Sequence, residues 1–276
     1  MAYLPYELIA KIVDLLRDDS ASLCASALAC RTLAIASRRH LFHVVNIHSV
    51  ERATRLDFLV ASSKDLPSLI HTITLVGHWE KPPASGSAPS PPLVNVPRIG
   101  ELLSSLPRLE SVRILALCKF LWPLEAAYEL LSAKFPSVTE LRLRNVRCQT
   151  FRGLTSIISA FSSLDVLVAD QVAFTSGYES PDPPPDLAPP PPTLHTLELR
   201  LRRYRPNSIP WKSARVLARW LSTHPAPERI HTLTYTGGEY DPGPPLVQLL
   251  CAWGPAALQH LELEITEHKG MCPSRA

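Results

Sequence analysis

Residues 138–143, VTELRL, place aliphatic side chains at the first, fourth and sixth positions. Leu141 and Leu143 alternate with Glu140 and Arg142, the period of a strand with one buried and one polar face. The same spacing returns as IHTITL from Ile70, LESVRI from Leu109, LHTLEL from Leu194 and LQHLEL from Leu258, and more loosely as LDVLVA from Leu164 and IHTLTY from Ile230. The seven starts are separated by 39, 29, 26, 30, 36 and 28 residues, and Val112 also matches, out of phase with Leu109. Most copies follow a segment of helical periodicity: ATRLDFLVAS, RIGELLSSL, EAAYELLSAKF, GLTSIISAF, KSARVLARWLSTH and LVQLLCAW. A helix followed by a strand, repeated, predicts a solenoid in which each unit buries its apolar face by stacking on the next.

The spacing is close to, or somewhat above, the roughly 20–29 residues of leucine-rich repeats. The expected fold class is therefore α/β, an irregular leucine-rich-repeat-like solenoid over residues 48–266 with a parallel sheet on its concave face and a tail at 267–276. The 28 prolines concentrate in two blocks, read as loops at 81–97 and 177–193. The first, KPPASGSAPSPPLVNVP, lengthens one interval, and SPDPPPDLAPPPP stands where the helix before Leu194 is expected. Both read as mobile surface spacers in preference to polyproline ligands, although each has P-x-x-P content. The Asn or Cys that commonly follows L-x-L by three is missing; His78, Leu117, Val146, Val172, Arg202, Gly238 and Thr266 occupy those places.

The first 47 residues have a different rhythm. In LPYELIAKIVDLL, residues 4–16, Pro5 suits a first helical turn, and Leu4, Leu8, Ile12 and Leu15/Leu16 recur as one apolar stripe. Asp18, Asp19 and Ser20 supply stop and N-cap chemistry for a second helix near ASLCASALAC, with Leu23, Ala27 and Leu28 directed inward. A third helix, RTLAIASRRHLF, carries Arg38 and Arg39 near its C-terminal end, where cations suit the dipole. Three short helices in about 40 residues lie at the lower limit of independent stability, so the unit needs a partner or a neighbouring domain.

Leu4-Pro5, Glu7-Leu8, Ile12 with Leu15/Leu16, Leu23 with Leu28, and Cys30-Arg31 follow one another in the order and spacing of a known pattern. On those residues the segment 1–47 resembles the F-box, and LFHVVNI, residues 41–47, looks like the F-box-to-repeat junction of many fungal members. The resemblance implies a three-helix F-box that docks on a Skp-type adaptor and through it on a cullin and RING ubiquitin ligase. It also implies a non-catalytic subunit whose repeats hold a substrate protein. By the same pattern, Leu4, Pro5, Leu8, Ile12, Leu16, Cys30 and Arg31 would bind the adaptor.

Strand alternation assigns the residues between the leucines to the concave face: Thr72, Thr74, Arg113, Glu140, Arg142, Arg144, Glu198, Arg200, Arg202, Thr232, Thr234, Glu262 and Glu264. Arg113, Arg142, Arg144, Arg200 and Arg202 are the candidate substrate-binding residues, suited to an acidic or phosphorylated peptide through charge-assisted, often bidentate hydrogen bonds. The plainer reading of any one of them is a solvated face with Glu/Arg pairs, such as Glu140 with a neighbouring Arg.

Other chemistry finds no support. The ten glycines form neither G-x-G-x-x-G nor a P-loop, no G-x-S-x-G elbow occurs, and the ten histidines make no H-E-x-x-H. No catalytic residue, metal site or cofactor is expected. His71, His195 and His231 recur within the repeat motif itself, which repetition of the unit explains more simply than a row of ligands. A net charge of +3 and one aromatic, Tyr204, within RLRRYR argue against nucleic acid, and no run reaches the length of a membrane span. Six scattered cysteines without a C-x-x-C pair read as reduced thiols, and Pro5, Glu7, Lys11 and Asp14 break up any signal-peptide core. Both features place the chain inside the cell, in cytoplasm or nucleus. The alternative to a ligase subunit is a leucine-rich interaction scaffold whose N-terminal helices cap the solenoid; a cap would bury the Leu4 to Ile12 stripe against Ile47, Leu56 or Leu59.

Overall fold

The computed structural model describes residues 4–77, 96–119, 121–122, 127–174, 187–200, 209–223, 230–238, 246–247, 250–251 and 258–266. Three helices come first: α1 (Tyr6–Leu15), α2 (Ser20–Ala29) and α3 (Arg31–Leu41). Pro5 is the N-cap of α1, one residue outside it, and its carbonyl accepts from the N–H groups of Leu8 and Ile9 at 3.1 and 3.2 Å. Asp19 caps α2, its carboxylate accepting from the N–H groups of Ala21 and Ser22. Arg38, Arg39 and His40 occupy the last turn of α3.

These helices share a small core of Val13, Leu23 and Ala36, with Ile9, Leu16, Leu33 and Leu41 packed around it. Leu28 is not part of it: its side chain is 88% exposed. Leu23 and Ala27, four apart, lie on one face, whereas Leu28 is five residues from Leu23 and has rotated off it. Ser37 is fully buried beside Ala36, and its Oγ has no hydrogen-bond partner. A buried unsatisfied hydroxyl costs about 1–3 kcal/mol, a large sum for so small a core.

The rest of the fold is a leucine-rich-repeat-like α/β solenoid. The strands are β1 (Val44–Ile47), β2 (Thr72–Val76), β3 (Ile114–Cys118), β4 (Leu121–Trp122), β5 (Glu140–Arg144), β6 (Arg147–Cys148), β7 (Val166–Asp170), β8 (Ala173–Phe174), β9 (Thr196–Arg200), β10 (Thr232–Gly238) and β11 (His260–Thr266). The helices are α4 (Val50–Ser62), α5 (Leu66–Leu69), α6 (Val96–Ser104), α7 (Ala127–Lys134), α8 (Phe151–Ser159) and α9 (Ile209–Thr223). One eight-stranded sheet runs β1-β2-β3-β5-β7-β9-β10-β11, parallel throughout and in chain order. Its first strand takes in the last four residues of the 1–47 segment. No described helix is long and apolar enough to cross a membrane.

Register corrects one copy of the repeat. Leu115 and Leu117 lie level with Ile73 and Leu75 on one side and with Leu141 and Leu143 on the other, all fully or nearly fully buried. The second repeat therefore starts at Val112, as VRILAL, and not at Leu109. The successive starts Ile70, Val112, Val138 and Leu164 then include two equal intervals of 26 residues. Leu109 misleads because it is itself buried three residues upstream of Val112, as Phe135 is before Val138 and Phe161 before Leu164. The three-residue spacing extends beyond the motif, so two frames fit the same stretch.

Three successive units also turn a corner. Lys119, Asn145 and Gln171 follow β3, β5 and β7 with φ of 56°, 52° and 59°, and their N–H groups donate to the carbonyls of Arg144, Asp170 and Arg200. The left-handed residue ends the strand and aims the chain into a second, three-stranded parallel sheet of β4, β6 and β8. Val146 and Val172, at the places where a leucine-rich repeat often has Asn, are buried in the core, so apolar contact stands in for a side-chain amide ladder.

At the opposite strand ends the backbone forms a staircase. The N–H groups of His71 and Thr72 both donate to the His43 carbonyl, those of Arg113 and Ile114 to His71, and those of Thr139 and Glu140 to Arg113. The pattern continues through Thr139, Asp165, His195 and His231 to Gln259 and His260. The repeated histidines thus occupy one repeat position. His43 and His71 approach to 5.1 Å between ring centroids and His195 and His231 stack at 5.6 Å, while Arg113, Thr139 and Asp165 separate the pairs.

The second Pro-rich block is a packed element over its described part. Leu187, Pro190 and Pro191 are buried, Ser159 Oγ donates to the Pro189 carbonyl at 2.8 Å, and Trp220 Nε1 donates to the Ala188 carbonyl at 3.2 Å. Residues 187–193 are therefore not a solvated spacer; without forming a helix, they pack against Ser159 of α8 and Trp220 of α9. Residues 81–95 and 177–186 lie outside the described residues, as does the tail from 267, and Val96 and Pro97 begin α6.

Candidate functional site

Two surfaces carry the candidate residues. On α1 the helical period separates two apolar faces: Ile9, Val13 and Leu16 pack into the three-helix core, while Leu4, Leu8 and Ile12 stand 50%, 46% and 47% exposed. Leu15, 86% exposed, lies on the outward side as well. The inward face of Ile9 and Val13 was hidden in the sequence by the more obvious outward stripe. Leu16, one of the seven adaptor candidates, belongs to the inner face, and Pro5 caps the helix that displays the others.

Cys30 and Arg31 stand at the junction of α2 and α3, both exposed, with Cys30 as the N-cap residue of α3. Its side chain makes no capping hydrogen bond; the extended backbone at Cys30 sets the corner between the helices. The apolar surface of the unit is completed by Leu28 and by Ile35, which is half exposed. Ile47 and Leu56, which a solenoid cap would set against the stripe, are instead buried in the core of the sheet, and Leu59 is exposed.

The second surface is the face of the large sheet opposite its helices. Register arranges its side chains in rows: Glu140, Val166 and Thr196; Arg142, Val168 and Glu198; Arg144, Asp170 and Arg200. Arg142, Arg144 and Arg200 thus share one face, as strand alternation requires. Arg113 does not join them, because in the corrected frame it precedes β3 in the staircase, where its guanidinium donates to the Ser137 carbonyl at 3.2 Å. Arg202 lies outside the described residues.

The basic strip is largely neutralised by its own neighbours. Arg142 Nε pairs with Glu140 Oε1 at 2.5 Å, and Arg200 Nε pairs with Glu198 Oε1, in both cases two residues back along the same strand and on the same face. These pairs are mostly shielded, and they roof Ala116 and Val168, which are nearly buried although they face outward. The face therefore alternates: apolar β3, charged β5, β7 apolar at Val166 and Val168 with Asp170 at its end, and charged β9. Arg144 is exposed, beside Cys118, whose thiol is pushed up by burial with opposing pulls from Arg144 and Lys119. Farther along, Thr234 and Thr236 donate to Glu262 and Glu264, making the β10–β11 end acidic.

Compared with known proteins, the chain matches no family model and no curated relative.

Proposed function

We propose that this protein is a non-catalytic substrate-recognition subunit of an intracellular Skp/cullin/F-box ubiquitin ligase, with the helical unit binding the Skp-type adaptor and the solenoid holding the substrate. The observation that carries this reading is the outward stripe of Leu4, Leu8 and Ile12, on a unit whose core is separate from that of the sheet. An exposed, contiguous apolar face on a minimally stable unit is stabilised by a partner that covers it. A solenoid cap would spend that face on Ile47 or Leu56, and both are buried without it. On the substrate side, Arg144 is an exposed cation of the open face, and Arg142 and Arg200 contribute through their pairs with Glu140 and Glu198. A segment that alternates apolar and charged side chains across the strands fits this face better than a uniformly acidic peptide.

The experiment is a calorimetric titration of the chain with the Skp-type adaptor of its host, beside a variant with Leu4, Leu8 and Ile12 all changed to Ala. The parent is expected to bind, and the variant to bind at least tenfold more weakly with unchanged circular dichroism. A folded parent that gives no binding would favour the scaffold reading.

A further inference from the structure

Where the helical unit meets the sheet, the molecule has a cavity of about 550 Å³ whose wall includes Arg17, Asp18, Arg39, His40, His43 and His71. Three separate stretches build it: the turn between α1 and α2 supplies Arg17 and Asp18, the end of α3 supplies Arg39 and His40, and the first steps of the staircase supply His43 and His71. The volume falls within the ~300–1,000 Å³ typical of small-ligand pockets. Two carboxylates face this group. Asp18 forms a 3.5 Å pair with Arg17 in which both partners are highly exposed, an arrangement of little net value, and Asp14 of α1 accepts from His40 Nε2 at 2.8 Å.

That leaves Arg39, His43 and His71 lining one space without a counter-charge of their own among the described residues. His43 and His71 hold their rings 5.1 Å apart, fixed by the backbone bonds of His71 and Thr72 to the His43 carbonyl. Burial holds the His43 imidazole below its ordinary value, and the neighbouring His71 and His40 push it the same way. Crowded cations that disfavour one another's protonation are an arrangement that an anion relieves. Guanidinium groups bind phosphate oxygens bidentately, and imidazolium adds charge-assisted donors.

We propose that this joint is a binding site for a compact phosphate-bearing polyanion, held by Arg17, Arg39, His40, His43 and His71. Bound there, the anion ties together three segments that otherwise belong to two separate cores, and so sets the helical unit against the solenoid. The site is independent of the ligase reading. Because an anion raises the pKa of His43, binding takes up protons and is tighter at lower pH.

The test is calorimetry of the full chain with inorganic pyrophosphate at pH 6.5 and pH 8.0, repeated in two buffers of different ionisation heat to count protons. Saturable single-site binding is expected at pH 6.5, with net proton uptake and at least tenfold weaker affinity at pH 8.0. Arg39→Ala and His71→Gln, both at exposed positions and so compatible with a folded chain, are each expected to weaken it at least tenfold, while Arg55→Ala, which removes an exposed arginine of α4 paired with Glu51 outside the cavity, binds as the parent does. The assignment is overturned by absence of saturable binding, by binding that survives in both joint variants, or by an equal loss in Arg55→Ala.

Discussion

Changing Leu167 to Ala is expected to destabilise the solenoid by about 2–5 kcal/mol, the range for a fully buried leucine whose site collapses only in part. Leu167 is fully buried in β7, level with Leu141 of β5 and Leu197 of β9, which are buried to the same degree. Each of these leucines packs against the copies on either side, so a cavity at the middle of the stack weakens two interfaces at once. The corresponding residue of β11, Leu261, is 40% exposed, and Leu261→Ala is expected to cost less than about 1 kcal/mol. Urea unfolding of the two variants measures the contrast; equal losses would mean that the stacking order described for the sheet is wrong.

Val13→Asp is the second large effect. Val13 is fully buried in a core that holds only two other buried apolar residues, Leu23 and Ala36, among the described residues. A carboxylate there would sit among Leu23, Ala36 and the apolar side chains packed around them and would remove several kcal/mol, more than so small a unit holds. Because the sheet has its own core, it is expected to stay folded when the three helices are lost. All five tryptophans lie beyond residue 47, so their fluorescence reports on the solenoid alone. The expected outcome is reduced helical circular dichroism with an unchanged fluorescence unfolding midpoint; a midpoint that falls with the helices would show that the two cores are coupled.

How much of this could be read from the sequence depends on how much each residue type reveals. The strands were legible because Leu141 and Leu143, Leu197 and Leu199 alternate with polar residues, and a parallel sheet with one covered face demands that alternation. The second repeat slipped because Leu109, Val112 and Leu115 are all buried at intervals of three, so the frame is set by pairing with β2 and β5. The second sheet left no periodic signal, since Arg147–Cys148 and Ala173–Phe174 are two residues long. Its entrance turns were equally silent: of Lys119, Asn145 and Gln171, Asn145 alone is a residue type enriched in the left-handed region.

The candidate site was legible in outline and less so in its electrostatics. The stripe on α1 follows from helical spacing, but the sequence could not say which of its two apolar faces the other helices take. That is decided by α3, which covers Ile9 and Val13 and leaves Leu8 and Ile12 in solvent. The arginines were placed correctly on β5 and β9, and their neutralisation was also within reach, because residues two apart on a strand share a face. Glu140 with Arg142 and Glu198 with Arg200 are that pattern twice. Arg113 went astray with its repeat frame.

The central claim is that the Leu4–Leu8–Ile12 face of α1 is where a Skp-type adaptor docks. Hydrogen–deuterium exchange of the full chain with and without saturating adaptor tests it most directly, since it locates the contact without any substitution. Slowed exchange is expected across α1 and its neighbours in the helical unit, with the amides of β5 to β9 unchanged. Adaptor-dependent protection that appears on the open face of the sheet, or exchange in α1 that the adaptor does not alter, would contradict it.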